Sequence, residues 1–377
     1  MDKVFDQSLL AGAIDEALIK INKNVKQCGN RFPESSSHNN QYELHDNRND
    51  WTQSFWSGLI WLAYEWTSDE RYKALGQKHT LSFKKRLENN WGMDTHDIGF
   101  LYSLSCVADY KVTGSVIGKE TALKAADRLL ERYKEKGGFI QAWGPIDDPK
   151  MYRLIIDCYM NLPLLFWAYE TTGDEKYLVV AKNHAYTAKQ VLMREDSSTY
   201  HTYYFDPLTG EPLRGVTAQG YGDDSCWARG QAWAIYGFAL CYHYLKDDVF
   251  IEAYKQVTDY YKDHLPEDKV PYWDLCFTKG EEERDTSAAT IAICGILEMD
   301  KYIHGDSRQK TYKELAKTSM ASLIRHYTTF NTSANGLLFE GVYSKPDHVG
   351  VNEMVIWGDY FFIEGLMRMT KDWQMYW

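Results

Sequence analysis

The sequence predicts an all-α fold in which six helical hairpins close into a ring, with short β-hairpin inserts in the rim loops. The main evidence is an internal repeat, because residues 59–72 (LIWLAYEWTSDERY) return as residues 164–177 (LLFWAYETTGDEKY) in the same register. Each copy predicts the end of an apolar helix, a corner of Thr-Ser-Asp or Thr-Gly-Asp, and the start of a second helix. This pattern is typical of two antiparallel helices joined by a short loop.

Weaker copies of the corner follow helix-like segments elsewhere in the chain. With the two clear copies they make six corners, spaced by roughly 45 to 75 residues, which suits helix pairs of ordinary length. When six hairpins close into a ring, the ends of six inner helices line one mouth, where residues distant in sequence can meet. The weaker corners lie at residues 111–115, 244–248, 302–306 and 367–372.

Apolar and amphipathic segments alternate along the chain, as expected for inner and outer helices. A segment that is apolar on nearly all sides is typical of a buried helix, whereas an amphipathic segment covers a core with one face. Residues 8–28 have the spacing of an amphipathic helix. The inner segments are predicted at residues 50–66, 97–110, 162–171, 231–245, 286–303 and 356–369, and the outer ones at 73–89, 119–136, 175–193, 250–264 and 309–327.

Strand-like inserts lie between some of these pairs. Residues 200–215 alternate around a Pro-Leu-Thr-Gly turn and predict a β-hairpin, and residues 270–277 and 335–343 show the pattern less clearly. Residues 29–49 are polar and predict an ordered loop. Loops on one rim of a scaffold are where function usually lies.

Pro163 limits where the third inner helix can begin, because proline fits the first turn of a helix and breaks its interior. We therefore expect the helix to begin near Asn161 and residues 154–160 to enter it as extended chain. The alternative is one kinked helix that begins at Asp157.

Chain length and charge limit the class of protein. No Pro-, Ser- or charge-rich linker divides the chain, so we predict a single domain over residues 1–377. The net charge of −11 argues against nucleic acid and anionic membrane surfaces as partners, since both attract clustered Lys and Arg. The aromatic content is high, with 28 Tyr, 13 Trp and 15 Phe, and such rings fill space between helices or form platforms for sugars.

Cysteine usage indicates a reducing compartment, because the seven cysteines are scattered and show no CxxC spacing. We therefore predict a cytoplasmic protein, and expect a monomer or weak homodimer. The N-terminal segment predicts an amphipathic helix rather than a signal peptide. No apolar run approaches the length of a membrane span. No metal-ligand cluster or nucleotide-binding motif is evident, so no cofactor is expected.

Several inner segments open with a charged residue, and most of these residues are aspartates. Asp50, Asp285 and Asp359 fit helix capping, in which the carboxylate accepts backbone N–H bonds. Asp157 differs because apolar residues surround it in the sequence and disfavour its charged form. Asp97 is a second such carboxyl. Two carboxyls in one pocket can divide the roles of acid and base, which suits sugar chemistry, although a buried structural Asp157 is the alternative.

Other residues are weaker candidates on their own. His201 opens the hairpin segment, and a single histidine is more often structural. Arg229 could clamp a carboxylate with its planar guanidinium, or form an ion pair with a neighbouring Asp. Tryptophans form possible sugar platforms, although each is more often a core residue. These tryptophans are Trp51, Trp143, Trp227 and Trp233.

Seven motifs taken together resemble the unsaturated glucuronyl hydrolases of glycoside hydrolase family 88. Their order is specific, and the resemblance covers about residues 30–360. It implies an (α/α)6 barrel, in agreement with the six corners. It also implies action on lyase-generated oligosaccharides that carry a 4,5-unsaturated uronic acid at the non-reducing end. The motifs are DWTxxFWSG, HDIGFLYSLS, GGFIQAWGP, IIDCxxNLPLL, YHTYYFDP, WARGQAWAIYGFAL and IWGDYFFIEGL.

The resemblance also implies roles for individual residues. Asp157 matches the general acid/base, which protonates C4 of the C4=C5 double bond and assists water attack at C5. Asp97 matches a second essential aspartate, which contacts sugar hydroxyls. No cofactor is implied. The positions that match binding of the unsaturated ring are Trp51, Trp143, His201, Gln219, Arg229 and Trp233.

Two departures from the family pattern bear on the substrate. Residues 217–220 read TAQG where some relatives have THQG, and the loop 343–353 lacks the Ser and Lys spacing of sulfate-preferring relatives. Unsulfated glycosaminoglycan fragments are therefore favoured over sulfated ones. Two alternatives stay open: an unsaturated rhamnogalacturonyl hydrolase that acts on pectin fragments, and a non-catalytic carbohydrate-binding toroid.

Overall fold

A computed structural model describes residues 6–377, and helices dominate this part of the chain. The helices are α1 Gln7–Cys28, α2 Gln53–Thr67, α3 Glu70–Glu88, α4 Ile98–Tyr102, α5 Ala108–Thr113, α6 Val116–Leu130, α7 Leu162–Thr172, α8 Glu175–Leu192, α9 Ala228–Leu245, α10 Val249–Asp263, α11 Thr286–Met299, α12 Gln309–Ser322 and α13 Ile356–Thr370. The strands are β1 Phe32–Pro33, β2 Leu44–His45, β3 Tyr133–Lys134, β4 Phe139–Ile140, β5 Arg153–Ile155, β6 Thr202–Phe205, β7 Pro212–Val216, β8 Gly341–Ser344 and β9 Val349–Glu353.

The inner helices form a closed ring, as predicted. The second inner helix of the ring consists of α4 and α5, which are joined by the π-helical turn Ser103–Val107. Helix α9 packs on α11, α11 packs on α13, and α13 returns to pack on α2. Outer helices α3, α8, α10 and α12 each pack on the inner helix that precedes them. The predicted all-α toroid is therefore confirmed.

The last inner helix takes its outer partner from the other end of the chain. Helix α1 packs on α13, so the first helix completes the sixth hairpin. The sequence correctly predicts α1 as an amphipathic helix, but its order along the chain does not reveal which helix it covers.

The corners of the repeat have the same geometry in both clear copies. Ser68 and Gly173 end α2 and α7 in the left-handed conformation, with φ of 57° and 73°. The aspartate that follows each caps the next helix: Asp69 accepts the Arg71 N–H at 2.9 Å, and Asp174 accepts the Lys176 N–H at 3.1 Å. A left-handed residue reverses the chain and the carboxylate satisfies a free N–H, which explains why the sequence repeats here.

The rim inserts follow the predictions in part. The predicted hairpin is present as β6 and β7, and β5 joins it to make an antiparallel sheet in the order β5-β6-β7. Strands β8 and β9 form a second hairpin, which overlaps the predicted segment 335–343 only at its end. Residues 270–277 form isolated bridges and no named strand.

Helix α7 begins at Leu162, as predicted, but the segment before it is neither wholly extended nor part of a kinked helix. It is extended only as far as Ile155, and Ile156–Met160 form a 3₁₀ turn that leads into α7. Pro163 lies in the first turn of α7, as expected. The tight turn places Asp157 at the mouth of the ring rather than along a strand.

The capping prediction holds for one of three aspartates. Asp285 caps α11 by accepting the Ser287 N–H at 3.1 Å. Asp50 accepts the N–H of Thr52, just before α2 begins, at 3.0 Å. Asp359 instead accepts the N–H groups of Leu337 and Leu338, each at 3.0 Å, from a rim loop. The capping predictions for Asp50 and Asp359 are therefore wrong, because their oxygens accept N–H groups that precede the helix or that lie in a loop distant in sequence.

Buried apolar side chains run continuously from α1 to the C-terminal segment. Trp377 is fully buried and stacks on Phe361, and the Lys111 ammonium donates to the carbonyls of the last three residues. The seven cysteines are free, and six of them are buried. Across residues 6–377 we find no helix with the length and apolar character that a membrane crossing requires.

Candidate active site

A cavity of about 340 Å³ opens where the inner helices begin. All eight side chains predicted to form a site lie on its wall, although they come from segments as far apart as residues 51 and 233. The lining residues are Trp51, His96, Asp97, Trp143, Ile155, Asp157, His201, Ala218, Gln219, Trp227, Arg229, Trp233, Tyr343 and Asp347.

Close backbone packing at Gly99 brings the two candidate carboxyls together. Asp97 is the residue that precedes α4, and Asp157 lies in the 3₁₀ turn before α7. A Cβ atom at Gly99 would lie 2.3 Å from the Cα of Asn161, so only glycine lets these segments approach. The Phe100 N–H donates to the Asn161 side-chain oxygen at 2.7 Å and holds the contact.

His96 joins the two carboxyls. Its Nε2 lies 3.1 Å from Asp157 Oδ1 and 3.3 Å from Asp97 Oδ1. The three ligand-type atoms of the group lie within 4.8 Å of one another. Sequence reasoning missed His96 as a site residue, although its place beside Asp97 at the start of an inner helix was the available signal.

The surroundings of this group favour a stored proton. Burial raises the pKa of Asp97, the Asp157 charge raises it further, and His96 opposes both. Burial alone would lower the pKa of His96, but the charges of Asp97 and Asp157 outweigh burial and raise it. The two carboxylates and the imidazole therefore stabilise a proton between them.

The apolar neighbours of Asp157 do not enclose its carboxyl, contrary to the sequence argument. Cys158, Tyr159 and Met160 are fully buried in the core. The Asp157 side chain is 15% exposed and lines the cavity beside His96. The position of the carboxyl was predicted correctly, but the reason was wrong, because a 3₁₀ turn directs successive side chains to different sides.

His201 presents a fixed hydrogen-bond donor. The Ala218 N–H donates to His201 Nδ1 at 2.8 Å, so the ring hydrogen lies on Nε2 when the ring is neutral. Burial lowers the pKa of His201 to about 4, and the ring is therefore neutral at pH 7. Its plane lies between Trp143 and Trp227, with ring centroids 6.4 Å and 4.5 Å away.

Two tryptophans form partly exposed walls. Trp51 donates from Nε1 to the Tyr343 hydroxyl at 3.0 Å. Trp143 sits on a turn that buried Arg132 holds, by donating to Gln141 O and Gly144 O at 2.9 Å each. Both rings fit the predicted role of sugar platforms.

The other two tryptophans are more enclosed. Trp233 is 1% exposed and packs between Phe100 and Phe361, and Trp227 is 4% exposed. Each can therefore offer a ligand little more than an edge.

Arg229 is paired within the protein, as one sequence alternative held. It donates to Asp285 Oδ2 at 3.0 Å and to Gln219 Oε1 at 3.0 Å. It also donates to the carbonyls of Val342 and, at 2.6 Å, Tyr343. The guanidinium thus holds strand β8 in place and orients the Gln219 amide group. It does not present a free pair of N–H donors to a ligand carboxylate.

A separate surface group could hold a metal ion. Glu34, Glu43 and His45 place one ligand atom each within 4.8 Å, and His45 already contacts Glu34 at 2.6 Å. This group does not line the cavity. In the His96 group, Nε2 hydrogen bonds with Asp157 and contacts Asp97, so we interpret the group as a proton network.

The fold and the site together define a glycosidase, in which two carboxyls meet between aromatic walls at the mouth of a helical toroid. Residues 23–371 match the model of Glycosyl Hydrolase Family 88, and the chain belongs to this family. The resemblance drawn from the seven motifs is confirmed, and with it the predicted enzyme class.

Known relatives cover nearly the whole chain. It is 50% identical over 368 residues to the unsaturated chondroitin disaccharide hydrolase of Streptococcus agalactiae serotype III (strain NEM316), covering 97% of this chain and 92% of the relative. A crystal structure of unsaturated glucuronyl hydrolase from Streptococcus agalactiae matches with a TM-score of 0.97 and 49% identity, covering 99% of this chain and 94% of that one. A mutant of that hydrolase complexed with dGlcA-GalNAc6S matches with a TM-score of 0.89 and 46% identity, covering 100% and 95%.

Proposed function

We propose that this glycosidase removes a 4,5-unsaturated uronic acid from the non-reducing end of glycosaminoglycan-type oligosaccharides, by hydration of the C4=C5 vinyl ether. The observation that carries the proposal is the pairing of Asp97 and Asp157 through one imidazole. Glycosidases that attack the anomeric carbon place their carboxyls on either side of the scissile bond. Here His96 Nε2 contacts both carboxyls, so they lie side by side on one wall of the cavity.

In the proposed reaction Asp157 acts first as an acid and then as a base. It gives a proton to C4, which leaves positive charge at C5 that the ring oxygen shares. A water molecule then adds to C5 and loses a proton to Asp157. The resulting hemiketal opens and releases the next sugar. Asp97 accepts hydrogen bonds from sugar hydroxyls and holds the acid in place.

The remaining walls suit an anionic sugar ring. Trp51 and Trp143 offer aromatic faces. His201 Nε2 carries a hydrogen, and the Gln219 amide nitrogen is free to donate because Arg229 engages the amide oxygen. Neutral donors can bind a carboxylate without bringing a charge that would compete with Asp97 and Asp157.

An unsulfated neighbouring sugar fits the rim better than a sulfated one. Asp347 lines the cavity, and Ser344 donates to it at 2.6 Å. The Lys345 ammonium pairs with Glu283 and does not line the cavity. Ala218 adds no charge. A sulfate in this region would therefore meet a carboxylate rather than a free cation.

A panel of unsaturated disaccharides tests this function through loss of the C4=C5 absorbance. We expect turnover of unsulfated chondroitin or hyaluronan units, slower turnover of sulfated ones, and little on unsaturated rhamnogalacturonan. The Asp157→Asn variant should lose about 10²–10⁴-fold in kcat, the usual contribution of general acid–base catalysis. Its binding of the intact disaccharide by calorimetry should stay close to that of the wild type.

The exposed rim residue Asp147 provides the matched control, and Asp147→Asn should keep full activity. If wild type and Asp157→Asn both bind the sugars and neither turns over any member of the panel, the molecule is a binding toroid. Faster turnover of rhamnogalacturonan than of glycosaminoglycan units would instead identify the pectin-directed hydrolase.

A further inference from the structure

His96 occupies a position that the proposed chemistry leaves unexplained. Its side chain is 3% exposed, and Nε2 contacts both carboxyls at the cavity floor. Its other nitrogen, Nδ1, is buried and has no hydrogen-bond partner in the part of the chain that the structure describes. One nitrogen of the ring is therefore held by two acidic groups, and the other receives no support.

This asymmetry matters for how firmly the ring holds a proton. The two carboxylates beside Nε2 favour the charged imidazolium form of the ring. A buried Nδ1–H without an acceptor carries the cost of an unmade hydrogen bond, which opposes the same charged form. The carboxylates thus favour binding of the proton to the imidazole, but they hold it less tightly than they would if each ring nitrogen had an acceptor.

We propose that His96 is a positioning residue that stores the proton which Asp157 delivers to C4, an inference that rests on the proposed function. At rest the proton lies on His96 Nε2 between Asp97 and Asp157. Entry of a substrate carboxylate adds a negative charge beside Asp157 and favours transfer of the proton from Nε2 to Asp157 Oδ1.

The protons balance over one turnover. The resting His96 is an imidazolium, and its Nε2–H bond breaks as the Asp157 O–H bond forms, which leaves a neutral ring with its hydrogen on Nδ1. The transferred proton then forms the new C4–H bond. Water adds its oxygen to C5, and its released proton goes to Asp157 and returns to His96 Nε2. The net change is the addition of one water molecule, and no further reactant is needed.

Charged and titratable groups face His96 from several elements. Asp97 and Asp157 raise its pKa, whereas the Arg132 guanidinium, which follows α6, lowers it. His201 and His184 also interact with it electrostatically, but burial keeps both neutral by lowering the pKa of His201 to about 4 and of His184 to about 3. Near neutral pH the charge balance at His96 is therefore set by the two aspartates against one arginine.

The His96→Gln variant tests the proposal, because the Gln amide nitrogen can keep the hydrogen bond to Asp157 but cannot store a proton. We expect KM within about threefold of wild type and kcat lower by about tenfold or more at pH 7. The alkaline limb of kcat/KM should move to lower pH, because the carboxyls alone then hold the proton. A purely structural His96 would not move this limb.

The buried His79 provides a matched control, since its Nδ1 contacts Ser57 at 3.1 Å away from the cavity. The variant His79→Asn keeps an atom for that contact and should leave the pH profile unchanged.

A measurement on the wild type needs no folding of the His96 variant. Nitrogen NMR of labelled histidines should show His96 titrating above the ordinary value of about 6.5, and lower in Asp157→Asn. A neutral His96 throughout pH 5–8, or an unchanged pH profile in His96→Gln, would overturn the proposal. If Asp157→Asn is inactive while His96→Gln matches wild type, only this inference fails, whereas a wild type silent on every unsaturated uronide removes the proposed function itself.

Discussion

Single residues decide whether the two carboxyls meet. Gly99 has no side chain where the backbone of Asn161 passes, and this absence brings the residues flanking α4 and α7 into contact. His96 then fills the gap between Asp97 and Asp157. The chemistry of the site thus depends on one missing Cβ atom as well as on the acids themselves.

The Gly99→Ala variant should damage both stability and activity. The added Cβ would lie 2.3 Å from Asn161 Cα and 2.4 Å from its carbonyl oxygen, so the backbone must shift. Such overpacking typically costs about 1–3 kcal/mol of unfolding free energy. We expect a matching loss in urea denaturation and at least a tenfold lower kcat/KM, since proton transfer depends steeply on geometry.

Gly12 offers the control for this substitution. It lies exposed inside α1, and a Cβ there meets nothing within 4 Å. Gly12→Ala should leave activity unchanged and raise stability by up to about 1 kcal/mol, because alanine favours the helix. Equal activity in Gly99→Ala and Gly12→Ala would show that the contact at Asn161 does not position the acids.

At the scale of elements, the corner between inner and outer helices is the unit that repeats. Both copies combine a left-handed residue with a capping aspartate, and both satisfy the same backbone groups. The difference is that one copy uses Ser68 where the other uses Gly173. Only the glycine adopts its conformation without a steric cost.

Exchanging these two residues should change stability in opposite directions. Ser68→Gly removes a side chain from a left-handed position with φ of 57°, and should stabilise the protein by up to about 1 kcal/mol. Gly173→Ser introduces one at φ of 73° and should destabilise by about 1–2 kcal/mol. Urea denaturation measures both.

No atom lies within 4 Å of a Cβ at Gly173, so a steric clash of that atom does not contribute to the change in stability. Changes of the same sign in the two variants would mean that the left-handed geometry does not govern this corner.

At the scale of the whole molecule, Asp359 links the ring to its rim. It is buried in α13 and accepts N–H groups from the loop at Leu337 and Leu338. It also accepts the Tyr42 hydroxyl at 3.0 Å from the loop before α2. Burial raises the pKa of Asp359 to about 7 from its ordinary 3.8. The folded protein therefore binds this proton more tightly than the unfolded chain.

Stability should consequently fall as pH rises through this window. The contribution of the Asp359 proton is complete below about pH 4 and is lost by about pH 7, where the folded carboxyl also ionises. Asp359→Asn cannot ionise, and its amide oxygen can accept the Leu337 and Leu338 N–H groups while its amide nitrogen donates to the Tyr42 oxygen. We expect the melting temperature of the variant, relative to wild type, to rise between pH 4 and pH 8.

The exposed residue Asp15 on α1 serves for comparison. The variant Asp15→Asn should show a difference from wild type that changes little over the same range. A flat difference for Asp359→Asn would show that this carboxyl does not set the pH dependence of the fold.

The single domain, the cytoplasmic location and the monomer or weak homodimer stay predictions.

The sequence alone determined the alternation of inner and outer helices, the two clear corners and the identity of eight side chains on the cavity wall. Helix periodicity, caps and left-handed corners depend on residues a few positions apart, so they are legible along the chain. The resemblance to the family supplied the remaining site assignments, and Gln219 in particular was identified only through it.

Only the tertiary structure decided which groups meet. His96 reaches Asp157 across 61 residues, and Arg229 is paired with Asp285 across 56. The side of the 3₁₀ turn on which Asp157 opens, and the closure of the ring by α1 on α13, are equally invisible in local patterns. Such contacts follow from how the helices pack in space. Packing brings together residues that are distant in sequence, and the residues next to them in the chain do not indicate which contacts will form.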